Sequence, residues 1–142
     1  MLSLIRQARA AVALLLAASA LWLSGCVTVA PASPATPEEV VSQRSQERWD
    51  ALVAGNFEKA WTYASPATRA IVKQSEYHKR FGAAGSWKSA RVFQVTCEPD
   101  KCLVRVDLAT QLSAKGFKNQ EIKAIIDETW VREDGQWWFQ ES

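Results

Sequence analysis

Residues 92–108 read VFQVTCEPDKCLVRVDL and alternate apolar with polar side chains. This period-two alternation predicts two β-strands, each with one buried face. Between them, the segment Glu98-Pro99-Asp100-Lys101 places Pro and Asp where a type I turn favours them. A four-residue loop fixes the register of the hairpin. It opposes Cys97 to Cys102, Val95 to Val104, Phe93 to Val106 and Arg91 to Leu108.

The predicted register gives the two hairpin cysteines a structural role. Directly opposed residues at a non-hydrogen-bonded pair have Cα atoms about 4.5 Å apart, which a disulfide can bridge. We therefore predict a Cys97–Cys102 disulfide. A metal site would need more ligands, yet the only histidine, His78, lies in the charged segment SEYHKR and is expected to be solvated. The C-x4-C spacing also differs from a redox C-x-x-C motif. The sequence contains no P-loop, G-x-G-x-x-G or H-E-x-x-H motif, and we expect neither a metal nor a cofactor.

The last segment, IKAIIDETWVREDGQWWFQES (residues 122–142), predicts a second hairpin around an Asp134-Gly135 turn. Trp138 falls on the face with Val131. Two interpretations remain for it: an exposed surface for a partner or a second copy of the chain, or a surface covered by the linker or a helix. The opposite face is expected to be buried and carries Ile122, Ala124, Ile126, Glu128, Trp130, Trp137 and Phe139.

Residues 37–82 predict three or four short helices. Thr36-Pro37-Glu38-Glu39 has the composition of a capping box with Pro at the first helical position. An apolar stripe at helical spacing follows it: Val41, Ser45, Trp49, Leu52 and Val53. Helices that precede a run of antiparallel strands indicate an α+β fold.

The N-terminus has the three parts of a secretory signal. Met1–Arg9 carries two arginines and no acid, and Ala10–Leu23 is uncharged and apolar. The sequence Leu23-Ser24-Gly25-Cys26 then resembles the lipobox of bacterial lipoproteins, which implies lipidation of Cys26. An uncleaved anchor helix is the alternative, although the apolar run is shorter than the roughly 20 residues that a transmembrane helix needs. Because Val27 is not an aspartate, resemblance to Gram-negative sorting implies the periplasmic face of the outer membrane.

This interpretation divides the chain into a signal peptide (1–25), a lipidated flexible tether (26–37) and one domain (38–142). Arg6 and Arg9 would leave with the signal, so the 17 basic residues fall to 15 and equal the 15 acidic ones. A nucleic-acid-binding domain usually has a basic excess on one face, and we expect no nucleic-acid partner.

Two segments resemble nuclear transport factor 2-like domains: RWDALVAGNFEKAWTYASPATR (48–69) their opening helices, and ETWVREDGQWWFQES (128–142) their closing hairpin. The resemblance implies a cone in which N-terminal helices pack on a curved antiparallel sheet, with a pocket at the wide end. Members of that family include dehydratases, an isomerase and many non-catalytic binding modules. A fold alone does not choose among these functions.

Glu128 is the acid whose strand position places it among apolar neighbours. Burial would suit it to act as a general base, and the alternative is that it pairs with Arg91 or reaches solvent at the end of the sheet. Aromatic residues that suit either a pocket or the core are Trp49, Trp61, Tyr63, Tyr77 and Trp130.

Three functions remain open from the sequence. The first is a non-enzymatic module that binds a small apolar ligand or an envelope protein. The second is a small-molecule lyase or isomerase with Glu128 as its base, and the third is a structural component of the cell envelope.

Overall fold

The structure is a computed structural model that describes residues 35–82, 84–114 and 117–141. The predicted signal peptide, the lipobox with Cys26, and the tether up to residue 34 lie outside the described residues. No helix among the described residues is long and apolar enough to cross a membrane.

Three short α-helices open the described part of the chain: α1 (Pro37–Val53), α2 (Phe57–Trp61) and α3 (Pro66–Ile71). The predicted capping box starts α1, where the Thr36 hydroxyl accepts a hydrogen bond from the Glu39 amide and the Glu39 carboxylate accepts one from the Thr36 amide. Two 3-10 segments follow, at Gln74–Arg80 and Ala84–Ser86. The helical half therefore matches the helices predicted for residues 37–82.

The strands are β1 (Trp87–Glu98), β2 (Lys101–Ala114), β3 (Phe117–Glu133) and β4 (Gln136–Gln140). They form one antiparallel sheet in the order β1-β2-β3-β4. The predicted α+β fold class, with N-terminal helices packed on an antiparallel sheet, is confirmed.

The first hairpin has the predicted register near its turn and loses it further away. Cys97 opposes Cys102 and is bonded to it, with Cα atoms 4.0 Å apart. A β-bulge then shifts the pairing by one residue, so that Val92, not Phe93, opposes Val106. Arg91 correspondingly opposes Asp107 instead of Leu108. The predicted pairings at Phe93 and Arg91 were wrong because a bulge puts two residues opposite one.

One face of the sheet, the inner face, packs against α1. It contributes buried side chains from β2, while α1 contributes Val41, Ser45 and Leu52. The β2 residues of the inner face are Cys102, Val104, Val106 and Leu108. The opposite, outer face leaves Leu103 and Ile125 about half exposed, at 46% and 50%.

The inner face of β3 is buried over only part of its length. Ile122 is 48% exposed and Ala124 is exposed, whereas Glu128 and Trp130 are buried. The prediction that this whole face is buried was wrong because α1 is shorter than β3. A 17-residue helix spans about 26 Å, while a 17-residue strand spans about 56 Å, so α1 covers only part of β3.

Candidate functional site

A buried ion pair joins α1 to β3 at the centre of the candidate site. Arg48 donates through Nη1 to Oε1 of Glu128, and their side chains are 2% and 3% exposed. Two further donors reach the other carboxylate oxygen: Ser45 Oγ at 2.8 Å and Trp130 Nε1 at 3.1 Å. The Glu128 carboxylate thus accepts three hydrogen bonds from three different side chains.

Helical and strand periodicity place these groups together. Ser45 and Arg48 are three residues apart on α1 and therefore share one helical face. Glu128 and Trp130 are two residues apart on β3 and share the inner face of the sheet. Packing of that helical face onto the inner face brings the four side chains into contact.

Arg48 has two more neighbours and one unused donor. Its Nη2 donates to the Tyr77 hydroxyl at 3.3 Å, and its guanidinium carbon lies 3.6 Å from the centre of the Phe139 ring. Its Nε is buried and has no hydrogen-bond partner among the described residues, and the same is true of Nε1 of the neighbouring Trp49. A buried donor without a partner is costly, so these two N–H groups stand out in an otherwise satisfied cluster.

The predicted alternative partner of Glu128, Arg91, is not the one it contacts. The bulge in β1 places Arg91 opposite Asp107 on the outer face of the sheet, while Glu128 points to the inner face. The pairing of Glu128 with Arg91 was therefore wrong, and so was the alternative of a solvated carboxylate, since Glu128 is only 4% exposed.

The contacts of Glu128 limit its chemistry. A general base must take up a proton, and protonation of Glu128 would leave the buried Arg48 cation without its counter-charge. Breaking a buried ion pair in this way typically costs about 3–5 kcal/mol. The carboxylate is therefore suited to holding Arg48 in place more than to proton transfer.

A cavity of about 230 Å³ lies beside this ion pair, between α1 and the start of the buried part of β3. We call it the α1–β3 cavity. Its apolar lining residues are Trp49, Phe81, Ile126 and Phe139, and its polar ones are Arg48, Asp127, Glu128, Thr129 and Gln140. The side chain of Asp127, also at this cavity, forms an ion pair with Arg105 at 3.4 Å.

Of the five aromatic residues predicted for a pocket or the core, Trp49 lines the α1–β3 cavity. Tyr77 and Trp130 are fully buried and bond to Arg48 and Glu128 respectively. Trp61 donates to the carbonyl of Val72 at 2.9 Å. One of the five therefore lines the cavity, two contact the ion pair, and Trp61 and Tyr63 lie outside the site.

Tyr63 is the fifth of these aromatic residues, and it donates to Glu47 at 2.8 Å. Burial raises the pKa of Tyr63 to about 12, and its hydrogen bond to Glu47 acts in the same direction. Tyr63 therefore stays protonated throughout the ordinary pH range.

Trp138 is half-buried and lies between two arginines. The guanidinium carbons of Arg44 and Arg69 lie 5.4 Å and 4.5 Å from its ring centre. Such contacts each contribute about 0.5–1 kcal/mol at exposed sites. Of the two interpretations of Trp138, coverage by helices matches this arrangement, since Arg44 belongs to α1 and Arg69 to α3.

A side chain occupies part of the free edge of β1. Gln46 of α1 donates to the carbonyl of Ala90 and accepts from the amide of Val92, both at 2.9 Å. A side-chain amide thereby occupies positions that another strand would otherwise use.

The described residues contain no group of three or more His, Cys, Asp or Glu residues that could hold a metal ion. That the protein binds no metal stays a prediction.

Arg48 was missed by the sequence analysis although a signal was present. It lies within the predicted apolar stripe of α1, between Ser45 and Leu52. A charged residue is almost never fully buried without a partner, so a cation in that stripe points to an acid on the facing strand.

No protein-family model matches the sequence, and no curated protein matches it. Among solved structures, a SEC-C motif containing protein from Rhodopseudomonas palustris is similar, with 14% identity over 75% of this chain and 76% of that chain and a TM-score of 0.52. A protein of the NTF2-like family from Streptomyces avermitilis has 11% identity over 71% and 90% of the two chains, with a TM-score of 0.48. An NTF2-like protein from Campylobacter jejuni has 13% identity over 76% and 100%, with a TM-score of 0.46. At such identities a likeness concerns the fold and brings no activity to this chain.

Proposed function

We propose that this chain is a lipid-anchored, non-enzymatic binding module that takes a small, mostly apolar ligand into the α1–β3 cavity. One observation carries the proposal: a cavity lined by four apolar side chains lies beside a carboxylate that already accepts three hydrogen bonds. Concave sites that combine apolar walls with polar groups that fix orientation are typical of small-molecule binding. A carboxylate held by an ion pair and two further donors offers orientation and little reactivity.

The lyase or isomerase alternative would need Glu128 as a base. Its ion pair with Arg48 opposes that role. Among the described residues, the other acid at the cavity is Asp127, whose side chain pairs with Arg105 on the outer face. The structural-component alternative makes no use of the cavity. We therefore favour binding over both.

Export and anchoring form the second part of the proposal. The N-terminal sequence supports a lipid attached at Cys26 and a position on the periplasmic face of the outer membrane, with the tether between membrane and domain. The Cys97–Cys102 disulfide fits an oxidising compartment. Envelope proteins are the partners that such a position would offer.

Native mass spectrometry tests the binding part. The full chain carrying Cys26→Ser is purified from the cell envelope, and its native and denatured masses are compared. We expect a non-covalent mass excess that disappears in Ile126→Trp, which fills the cavity. The matched control is Ile125→Trp, because Ile125 is the chain neighbour on the outer face. A mass excess that survives Ile126→Trp would place the ligand elsewhere and contradict the proposal.

Metabolic labelling with palmitate tests the anchoring part. The unmodified chain should take up label and sediment with outer membranes, and Cys26→Ser should take up none. Val27→Asp keeps the cysteine and should remain labelled while moving to the inner membrane. Equal labelling of the Cys26→Ser chain would refute lipidation at this residue.

A further inference from the structure

The edge strand β1 keeps backbone groups without partners beyond Gln46. Among the described strands, β1 pairs with β2 alone. The Cα atoms of Cys97 and Cys102 are 4.0 Å apart, the short spacing of a non-hydrogen-bonded pair. The amide and carbonyl of Cys97 therefore point away from β2, and those of Val95, two residues earlier, do the same. Within the described part of the chain, nothing forms a hydrogen bond with these four groups.

A groove of about 550 Å³ lies beside this edge, between α1 and β1, and we call it the α1–β1 groove. Phe93 in its lining is 44% exposed, and Val95 is half-buried. Gln46 marks one end of the free edge, because its side chain already bonds to the backbone of β1. The lining residues are Glu38, Glu39, Ser42, Gln43 and Gln46 of α1 and Val92, Phe93, Gln94 and Val95 of β1. Unpaired backbone groups and apolar side chains are therefore available together along this stretch.

The charges at the α1–β1 groove are acidic. Glu38 and Glu39 line it, and its described lining contains no lysine or arginine. The Glu39 carboxylate accepts a hydrogen bond from the Thr36 amide, which leaves its negative charge without a cation. Arg105, which contacts Phe93 on the outer face, is already paired with Asp127. A cation that enters the groove is therefore attracted by two carboxylates, whereas an anion is repelled.

We propose that the α1–β1 groove binds an extended, cationic segment of another protein, which adds to the sheet as a strand beside Val95 and Cys97. In this mode of recognition, main-chain hydrogen bonds give affinity and alternate side chains give specificity. Side chains of the added strand alternate between the two faces of the sheet. Lysine or arginine on the inner face meets Glu38 and Glu39, and apolar side chains on the outer face pack near Phe93. The groove shares no described lining residue with the α1–β3 cavity, so this interaction is independent of small-molecule binding.

The probe is the heptapeptide TKVKVKT with blocked ends, whose three lysines share one face of an extended chain. It is titrated into the ¹⁵N-labelled full chain carrying Cys26→Ser. We expect the amide resonances of Val95 and Cys97 to shift and both amides to become protected from hydrogen exchange. Thr96 is the internal control, because its amide points towards Leu103 of β2 and should be protected with or without the probe.

Charge variants test the preference for a cation. Glu38→Gln/Glu39→Gln removes both carboxylates and keeps a side chain that suits the capping box. It should bind TKVKVKT about fivefold more weakly, as expected for the loss of two exposed ion pairs. Glu58→Gln/Glu133→Gln removes the same charge outside the groove and should bind the probe as the unsubstituted protein does. The peptide TEVEVET should bind at least about tenfold more weakly than TKVKVKT, because like charges would meet.

N-methylated peptides distinguish strand addition from a contact between charges alone. With the lysines facing α1, methylation of the lysine amides blocks an antiparallel added strand, and methylation of the valine amides blocks a parallel one. One of these two peptides should bind at least about tenfold more weakly than TKVKVKT, the loss of two net hydrogen bonds. The other serves as its matched control.

Four outcomes would overturn the proposal. Equal affinities of both N-methylated peptides and TKVKVKT, or shifts without protection of Val95 and Cys97, would contradict strand addition. Equal affinities of TEVEVET and TKVKVKT would contradict the preference for a cation. No binding of TKVKVKT would contradict the interaction as a whole. Protection of Val95 and Cys97 that rises with protein concentration in the absence of peptide would show that a second copy of the chain occupies the edge instead.

Discussion

Replacing Glu128 with Gln removes the negative charge that Arg48 faces inside the protein. Arg48 is 2% exposed, so its cation has little access to water that could replace the lost counter-charge. The Gln amide also keeps a single acceptor oxygen, where Glu128 receives donors from Arg48, Ser45 and Trp130. We therefore expect the full cost of breaking a buried ion pair, about 3–5 kcal/mol.

That cost is large relative to the stability of a small domain, which is about 5–15 kcal/mol. For a domain of about 100 residues, each kcal/mol lowers Tm by about 4–8 °C, so Glu128→Gln should lower Tm by at least about 12 °C. Urea unfolding followed by tryptophan fluorescence gives the free energy directly. Glu47→Gln is the matched control, because Glu47 is also on α1 and accepts a hydrogen bond from Tyr63. Weakening this hydrogen bond should lower the free energy of unfolding by about 1 kcal/mol.

A double-mutant cycle isolates the pair itself. The change Arg48→Met/Glu128→Leu removes both charges together, and replacing a buried pair by apolar residues is often neutral or stabilising. The double variant should therefore be more stable than either single variant of the cycle, Arg48→Met or Glu128→Leu. A Glu128→Gln cost below about 1 kcal/mol, or a double variant as unstable as the sum of the single ones, would refute the view that this ion pair is buried and obligatory.

Three further outcomes are expected. Removing the disulfide in Cys97→Ala/Cys102→Ala should lower the free energy of unfolding by about 2 kcal/mol, measured in urea, because the bond closes a short loop; unchanged stability would contradict this. Gln46→Leu should lower the free energy of unfolding by about 1–3 kcal/mol and promote association through β1. The control Gln43→Leu should lower it by less than about 0.5 kcal/mol. Equal effects of the two variants on stability and on sedimentation would contradict the role of Gln46 at the edge of β1. Folding raises the pKa of Tyr63 from 10.0 to about 12 and so favours the neutral phenol. The stability that this shift contributes is complete below about pH 10 and is lost as the pH rises to about 12. In Tyr63→Phe, the free energy of unfolding should therefore decline less over that pH range.

The sequence predicted the two hairpins and their turn-proximal registers because turn chemistry and period-two alternation agree there. It did not predict that β2 pairs with β3. It did not predict the bulge at Phe93. Phe93 and Gln94 both lie near Arg105, with the Phe93 ring centre 5.4 Å from its guanidinium carbon and the Gln94 oxygen 3.5 Å from Nη1. A phenylalanine packed on an outward arginine looks in the sequence like an inward core residue.

The candidate site was predicted in part. Glu128 stood out because an acid interrupts an apolar strand face, but its partner lies 80 residues away on α1. Local periodicity can show that each residue belongs to a buried face. It does not show which residues of two such faces meet, since that depends on how the helix packs on the sheet.

The location of a bound probe tests the central claim most directly. In a ¹³C-labelled sample saturated with acetophenone, a small and mostly apolar molecule that serves as the probe, intermolecular nuclear Overhauser effects report which methyl groups lie against it. Ile125 and Ile126 are chain neighbours on opposite faces of β3: Ile126 lines the α1–β3 cavity, and Ile125 is 50% exposed on the outer face. Contacts to the Ile126 methyl groups without contacts to Ile125 are the predicted result. Contacts to Ile125 and Leu103 without contacts to Ile126 would show that the ligand binds the outer face, and would contradict a binding site between α1 and β3.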